Sequence, residues 1–264
     1  MADLADLPEA PLDRLRAIVS LLRSPEGCPW DREQTHESLR AGLLEEACET
    51  IDAITRADDA NLREELGDLL LQVVFHADLA TERGAFTFED SVRHVCEKLI
   101  RRHPHVFSDA AAADTGAVLR QWEQIKRAEK GENAGVMDGI PRALPALIRA
   151  QNIQRKAARV GFDWPSTAGV MDKFREELAE LTAEFEAGDP ARLEHELGDL
   201  LFTAVNLARK LGVEAELSLE HANQRFIRRF AHMETALSAQ NRRLEDATPA
   251  ELDRLWDQAK ATLP

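Results

Sequence analysis

The sequence predicts an all-α protein made of two tandem copies of a bundle domain with roughly four helices each. Alanine, leucine and glutamate supply 102 of the 264 residues, whereas valine, isoleucine and threonine together supply 33 and tyrosine is absent. Strong helix formers therefore dominate over strand formers. Hydrophobic residues make up 44% of the chain, which is enough for packed cores and excludes disorder over the whole length. An internal repeat predicts the duplication.

The repeat consists of paired segments that keep their order along the chain. LREELGDLLL returns as LEHELGDLLF 131 residues later, and LLEEACE returns as FREELAE at the same offset. GCPW, WEQIK and KLIRRHPHVF have weaker echoes in GFDW, WDQAK and RFIRRFAHM. Chance likeness between helices would not preserve both order and spacing. We therefore predict an N-terminal domain over residues 1–135 and a C-terminal domain over residues 136–264.

Helix breakers mark the seam between the copies: Gly131, Gly135, Gly139 and Pro141. The segment after the seam carries five basic residues and no acidic one, and we predict a connecting helix there at about 141–160. In the second copy the pattern predicts helices at about 168–187, 190–211, 216–240 and 249–261. The first two should be antiparallel neighbours because the turn between them, AGDP, is very short.

The most informative pattern is a set of carboxylates that recurs in both copies. In the second copy they are Glu177, Glu180, Glu196 and Asp199, and in the first copy Glu46, Glu49, Glu65 and Asp68. Each pair is spaced by three residues, which places both members on one face of a helix. Single acidic residues on helices are usually solvated, but these recur at identical spacing, and the second pair lies within the apolar stretch ELGDLLFTAV. Clustered carboxylates repel one another unless a cation joins them, and oxygen ligands favour Mg²⁺, Mn²⁺ or Ca²⁺.

A di-iron carboxylate bundle is the alternative metal centre. It requires a Glu-x-x-His motif on two helices. The residues three positions after Glu180 and Glu196 are Ala183 and Asp199, and neither is histidine. The sequence therefore disfavours a di-iron centre.

Charge and cysteine content limit the class of protein further. The formal net charge is −15, which is opposite to that of a general nucleic-acid or anionic-membrane binder. The three cysteines form no CxxC pair, which is typical of a reducing compartment. The N-terminal segment has no apolar core of a signal peptide. We therefore expect a soluble cytoplasmic protein with no nucleic-acid and no membrane partner.

The duplicated EExxE…ExxD pattern, with GCPWD upstream and KLIRRHPHVF downstream, resembles the MazG family of nucleoside triphosphate pyrophosphohydrolases. The likeness extends from about Leu12 to Lys260. It implies Mg²⁺-dependent hydrolysis of nucleoside triphosphates to the monophosphate and pyrophosphate, with Mn²⁺ as a substitute metal, by homodimers of all-α domains. A motif glutamate, Glu176 or Glu177, would then act as general base.

The resemblance also implies a set of substrate contacts in the second copy. Four cations match phosphate-contacting positions: Lys173, Arg192, Arg225 and Arg229. Arg228 belongs to the same basic cluster, and Trp256 matches a position that packs on the nucleotide. The first copy has Gly42 and Asn61 in place of Lys173 and Arg192. We therefore expect the C-terminal domain to carry most of the activity.

Two other functions are compatible with the same residues. One is a non-catalytic regulatory module, in which the duplicated bundle senses nucleotides or metal. The intact carboxylates of both copies argue against it, because a domain that had lost its activity would have lost some of them. The EExxE…ExxD motif is also shared with dimeric dUTPases and phosphoribosyl-ATP pyrophosphohydrolase, which act on narrower substrates. The resemblance implies a pocket that accepts many nucleotides, and a role in removing damaged or non-standard nucleotides from the pool.

Overall fold

The computed structural model describes residues 7–108, 114–129 and 135–263, and the regular structure in these ranges is entirely helical. The predicted all-α class is therefore confirmed. Contacts between Cα atoms divide the chain into two compact units, Met1–Gly131 and Glu132–Pro264. The first four residues of the predicted seam, 131–134, lie outside the described residues. Among the described helices, none is both long enough and apolar enough to cross a membrane.

Each unit is a succession of helices joined by short connections. The first unit contains α1 (Pro11–Arg23), α2 (Pro29–Glu33), α3 (Arg40–Arg56), α4 (Asp59–Glu82), α5 (Phe88–Arg102), α6 (Pro104–Phe107) and α7 (Thr115–Glu129). The second contains α8 (Ala146–Arg159), α9 (Thr167–Ala187), α10 (Pro190–Lys210), α11 (Ala215–Ser238) and α12 (Pro249–Thr262), with a 3-10 turn at Leu244–Asp246. The ends of α9 to α12 lie within two residues of the predicted bounds.

Helix α8, which corresponds to the predicted connecting helix, packs inside the second unit against α10 and α11. Two buried glutamines fix it there. The side chain of Gln151 donates a hydrogen bond to the carbonyl of Val213 and accepts one from the backbone of Ala215, at 2.9 and 3.0 Å. Gln154 donates to the carbonyl of Phe202 at 2.7 Å. In the first unit α1 packs similarly on α4, so the repeated unit includes a leading helix.

The centre of each unit is a helical hairpin, α3–α4 in the first and α9–α10 in the second. Only two residues separate the helices of each hairpin. The backbone reverses through a left-handed residue, Ala57 with φ 53° and Gly188 with φ 77°. The aspartate that follows then accepts a hydrogen bond from the first turn of the second helix, as Asp58 and Asp189 do. The two hairpins are therefore built by the same local chemistry.

The core of each unit leaves one apolar face of the hairpin exposed. Val19, Val74 and Phe75 belong to the buried cluster of the first unit, and Val170 and Leu237 are buried in the second. In contrast, large apolar side chains remain exposed along both hairpins: Leu44, Ile51, Ile54, Leu66, Leu70, Val73, Leu178, Phe185, Leu197, Leu201 and Phe202. Such contiguous apolar surface is typical of a face that another protein surface covers.

Candidate metal centre

The hairpin α9–α10 brings three of the four predicted carboxylates of the second unit together. One oxygen from each of Glu177, Glu196 and Asp199 lies within 4.8 Å of the others. The Glu177 side chain is only 6% exposed, and the other two residues are half-buried. Glu180 is on the same helix but is exposed and lies outside this group.

A lysine joins this acidic group from one turn earlier on α9. The ammonium of Lys173 lies 2.8 Å from an oxygen of Glu176 and 2.8 Å from an oxygen of Glu177. The hydrogen bonds that Lys173 donates to these two carboxylates raise its pKa above its ordinary value. The lysine is therefore charged and offsets part of the repulsion within the cluster.

The other predicted substrate contacts do not reach the carboxylate cluster. Arg192 is exposed and pairs with Glu184 at 3.2 Å and with Asp189 at 3.7 Å, near the hairpin turn. Arg225 and Arg228 lie exposed on α11 and make no hydrogen bond or ion pair within the described ranges.

A separate aromatic and cationic patch forms where α11 meets α12. The Trp256 ring centroid lies 5.0 Å from that of Phe226 and 5.9 Å from the guanidinium carbon of Arg229. The Nε of Arg229 donates a hydrogen bond to the carbonyl of Leu263 at 3.0 Å. The structure thus places Trp256 and Arg229 beside each other.

The sequence analysis did not select His195, although it contacts a candidate ligand. Its Nε2 lies 3.3 Å from an oxygen of Asp199. The signal was present, because a histidine and an aspartate four residues apart share a helix face. A single histidine on an exposed helix face is nevertheless common, so this spacing alone does not identify a functional residue.

The first unit repeats the cluster with different neighbours. One oxygen from each of Glu46, Glu49 and Glu65 lies within 4.8 Å of the others, whereas Asp68 is outside this group. Burial raises the pKa of Glu46 and Glu49, and the charges of Asp68 and the other carboxylates raise it further. The acids of the first unit therefore repel one another without a lysine among them.

Neutral amides occupy the positions where the second unit has cations. A Cβ added to Gly42 would lie 3.0 Å from the side-chain nitrogen of Gln72, so an amide fills the space beside this glycine. Asn61 donates a hydrogen bond to Glu65 and accepts one from Arg56. The two clusters thus share two equivalent pairs of carboxylates, Glu46 with Glu177 and Glu65 with Glu196, and differ in the third carboxylate and in the groups beside them.

The fold and these clusters define a tandem all-α protein with a candidate divalent-cation centre in each unit. A comparison with protein families gives the finer assignment. The MazG nucleotide pyrophosphohydrolase domain matches residues 34–107 and 166–234, which include both hairpins. The chain therefore belongs to the MazG nucleotide pyrophosphohydrolase family, and the resemblance found in the sequence is confirmed.

Several curated proteins are similar to this chain over nearly its whole length. The nucleoside triphosphate pyrophosphohydrolase of Escherichia coli K12 is 48% identical over 254 residues, covering 94% of this chain and 97% of that protein. A Thermotoga maritima protein named nucleoside triphosphate pyrophosphohydrolase/pyrophosphatase MazG is 50% identical over 249 residues, covering 94% and 95%. A Mycobacterium tuberculosis nucleoside triphosphate pyrophosphohydrolase is 42% identical over 135 residues, covering 50% and 41%.

Proposed function

We propose that this chain hydrolyses nucleoside triphosphates to the monophosphate and pyrophosphate in the presence of Mg²⁺, with most of the activity in the second unit. The enzyme class follows from the family and from relatives that are about half identical. The observation that carries the proposal for the site is the group of three carboxylates, Glu177, Glu196 and Asp199.

The donor set of this group fits a magnesium ion. All three ligands are carboxylate oxygens, which Mg²⁺ and its substitute Mn²⁺ prefer over soft metals. Burial of a charged carboxylate is costly unless a cation compensates it, and Lys173 supplies one positive charge beside three acids. When bound, the ion would neutralise phosphate charge and lower the pKa of a coordinated water.

The neighbouring residues support a division of roles around the phosphates. Glu176 is outside the ligand group and is more than half exposed, and only one of its oxygens accepts a hydrogen bond from Lys173, so the other oxygen is left to accept a proton from an attacking water. Glu177 is within the ligand group and is the better candidate for metal binding. Lys173 orients the carboxylates of Glu176 and Glu177 and supplies a positive charge that would attract a phosphate.

The basic and aromatic patch on α11 and α12 supports binding of the remaining substrate. Arg225 and Arg228 carry positive charge that no described acidic group neutralises. Arginine binds phosphate through charge-assisted, often paired hydrogen bonds. The Trp256 ring, which packs on Phe226, offers an apolar face suited to a nucleobase.

We also propose that the protein is a cytoplasmic homodimer without nucleic-acid or membrane partners. The exposed apolar faces of the hairpins support the dimer, because each presents large aliphatic side chains such as Leu201 and Leu70 to solvent. The net charge of −15 argues against binding to polyanions.

A panel of nucleoside triphosphates tests the proposed activity. Purified protein is incubated with each of the common ribonucleotides and deoxyribonucleotides, dUTP, and phosphoribosyl-ATP, with Mg²⁺ or with excess EDTA. We expect equimolar monophosphate and pyrophosphate from several bases, and no turnover in EDTA. Release of orthophosphate with a diphosphate, or activity that persists in EDTA, would contradict the proposal. Turnover of dUTP or phosphoribosyl-ATP alone would restrict it to that substrate.

A further inference from the structure

Two arginines of the first unit bind a carboxylate, whereas no acidic side chain among the described residues binds their counterparts in the second unit. By the internal repeat, Arg101 and Arg102 on α5 correspond to Arg228 and Arg229 on α11. In the first unit the carboxylate of Glu129 binds both. Nε of Arg101 lies 2.6 Å from one oxygen of this carboxylate, and Nε of Arg102 lies 3.1 Å from the other. A further nitrogen of Arg102 also binds the second oxygen.

The position that corresponds to Glu129 in the second unit carries no charge. Glu129 follows Trp122 by seven residues, and Leu263 follows Trp256 by the same number. Leu263 contributes its backbone carbonyl, which accepts a hydrogen bond from Arg229 at 3.0 Å. The second unit therefore has a neutral acceptor where the first has a carboxylate.

The second arginine of each pair contacts a tryptophan ring in both units. The guanidinium carbon of Arg102 lies 5.4 Å from the Trp122 ring centroid, and that of Arg229 lies 5.9 Å from the Trp256 ring centroid. The arginine and the aromatic ring are thus arranged alike in both units, whereas the group that accepts the hydrogen bond of the arginine differs. Because arginine recognises carboxylate and phosphate through the same paired donors, a carboxylate on these arginines competes with a phosphate.

We propose that Glu129 is an internal anion that occupies the phosphate-binding arginines of the first unit and so weakens triphosphate binding there. This inference rests on the proposed function, which assigns the basic patch of α11 to phosphate, and on the resemblance, which matches Arg229 to a phosphate-contacting position. The first unit has no cation at the positions that correspond to Lys173 and Arg192. On α5, by contrast, its arginines are present but are already paired with Glu129. The two arginines hold the pKa of Glu129 at about 2, so its carboxylate is charged at neutral pH.

Each unit offers its own tryptophan as a reporter of binding. The chain has four tryptophans. Replacing three of them by phenylalanine gives two variants with a single fluorescent tryptophan, the Trp122 chain and the Trp256 chain. Inorganic tripolyphosphate with Mg²⁺ serves as the probe, and its affinity is obtained from the change in emission. In the Trp122 chain we expect Glu129→Ala to tighten binding by about tenfold, the effect of one recovered charge-assisted contact. Glu129→Asp keeps the charge and is the matched control.

The reciprocal change tests the same idea in the second unit. In the Trp256 chain, Leu263→Glu should weaken binding by about tenfold, and Leu263→Gln, which adds no charge, should not. Unchanged affinity in a folded Glu129→Ala chain overturns the inference. If that variant does not fold, unchanged affinity in the Leu263→Glu chain overturns it instead. Failure of the proposed function is separate, because it is seen as absence of pyrophosphate release by the unaltered protein.

Discussion

The ammonium of Lys173 lies 2.8 Å from the carboxylate of Glu177, a side chain that is only 6% exposed. In the first unit the position of this lysine is Gly42, and the amide of Gln72 fills the adjoining space. The second cluster therefore contains a cation and the first a neutral amide. This difference bears directly on which cluster is able to accept a polyanionic substrate.

Loss of any carboxylate of the second cluster should abolish Mg²⁺-dependent turnover while the fold survives. The variants are Glu177→Ala, Glu180→Ala, Glu196→Ala and Asp199→Ala. Glu180 is included because its exposed side chain rotates at little cost and shares a face of α9 with Glu177. Pyrophosphate release and circular dichroism are measured together. The control is Glu186→Ala, an exposed glutamate on the same helix, and near-normal turnover in all four variants would refute a metal role.

The two clusters should contribute unequally to catalysis. Glu196→Ala should remove nearly all turnover, whereas Glu65→Ala should leave most of it. The reason is that the first unit lacks two cations, each worth roughly 1.5–3 kcal/mol of phosphate binding, which together weaken binding on the order of a hundredfold or more. The measurement is the steady-state rate of both full-length variants. Equal losses, or a larger loss from Glu65→Ala, would show that these cations do not decide which unit works.

Removal of Arg23 should destabilise the first unit strongly. Its side chain is 3% exposed, lies 2.9 Å from Asp78 and 2.6 Å from Glu82, and donates to the carbonyl of Asp31 at 2.7 Å. Arg23→Ala leaves the carbonyl of the buried Asp31 and the partly buried carboxylate of Asp78 without this donor, a change that costs about 1–3 kcal/mol for each unsatisfied group. Denaturant unfolding measures the loss. Arg16→Ala is the comparison, because Arg16 is about one-third exposed and its ion pairs should contribute less than about 1 kcal/mol. Equal effects of the two substitutions would contradict the argument.

The pH dependence of stability should include a contribution from Glu251. Its hydrogen bonds with Arg242 and with the backbone of Thr248 lower its pKa from 4.5 to about 2. A carboxyl with a lowered folded-state pKa stabilises the protein above pH 4.5 and loses this contribution as the pH falls toward 2. Glu251→Gln should therefore lower Tm at pH 7 and have no effect near pH 2. The matched control is Glu245→Gln, whose carboxylate is exposed and lies 3.8 Å from Arg243. A difference in Tm that stays constant from pH 7 to pH 2 would exclude this linkage.

Light scattering should give twice the chain mass of 29.5 kDa at micromolar concentration. Leu201 is 52% exposed on the apolar face of α10, and Leu201→Glu should shift the protein toward the monomer. Val160→Glu is the control, since Val160 is equally exposed but lies at the end of α8. A monomer in the unaltered protein would rule out the dimer.

Local signals predict the bounds of the helices of the second unit, because helix ends are set by nearby residues. Asp189 and Pro190 predict the start of α10 within a single turn, and the structure begins the helix there. The basic segment after the seam predicts a connecting helix at α8, but it does not reveal that Gln151 and Gln154 are buried. Their burial depends on carbonyl acceptors about 50 to 60 positions away, which no local pattern reveals.

The site was predictable in part for a similar reason. Helical spacing identifies the face on which Glu177 and Glu180 lie, but not how that face is rotated toward the partner helix, and only Glu177 joins the group. The pairing of Glu129 with Arg102 joins residues 27 positions apart. Such pairing depends on tertiary packing, so a helix pattern alone does not give it.

The two-residue turns of the hairpins have a consequence for how the chain folds. Helices α4 and α10 share the similar segments LREELGDLLL and LEHELGDLLF, so each presents a surface that the other's partner helix would accept. A turn of two residues keeps the entropic cost of closing each hairpin small, whereas pairing with the wrong copy must close a loop of more than eighty residues. Native hairpins should therefore form first in refolding, because local contacts form faster than distant ones. The shortness of these turns gives the duplicated chain kinetic protection against exchange of helices between its two halves, a characteristic failure of repeated domains.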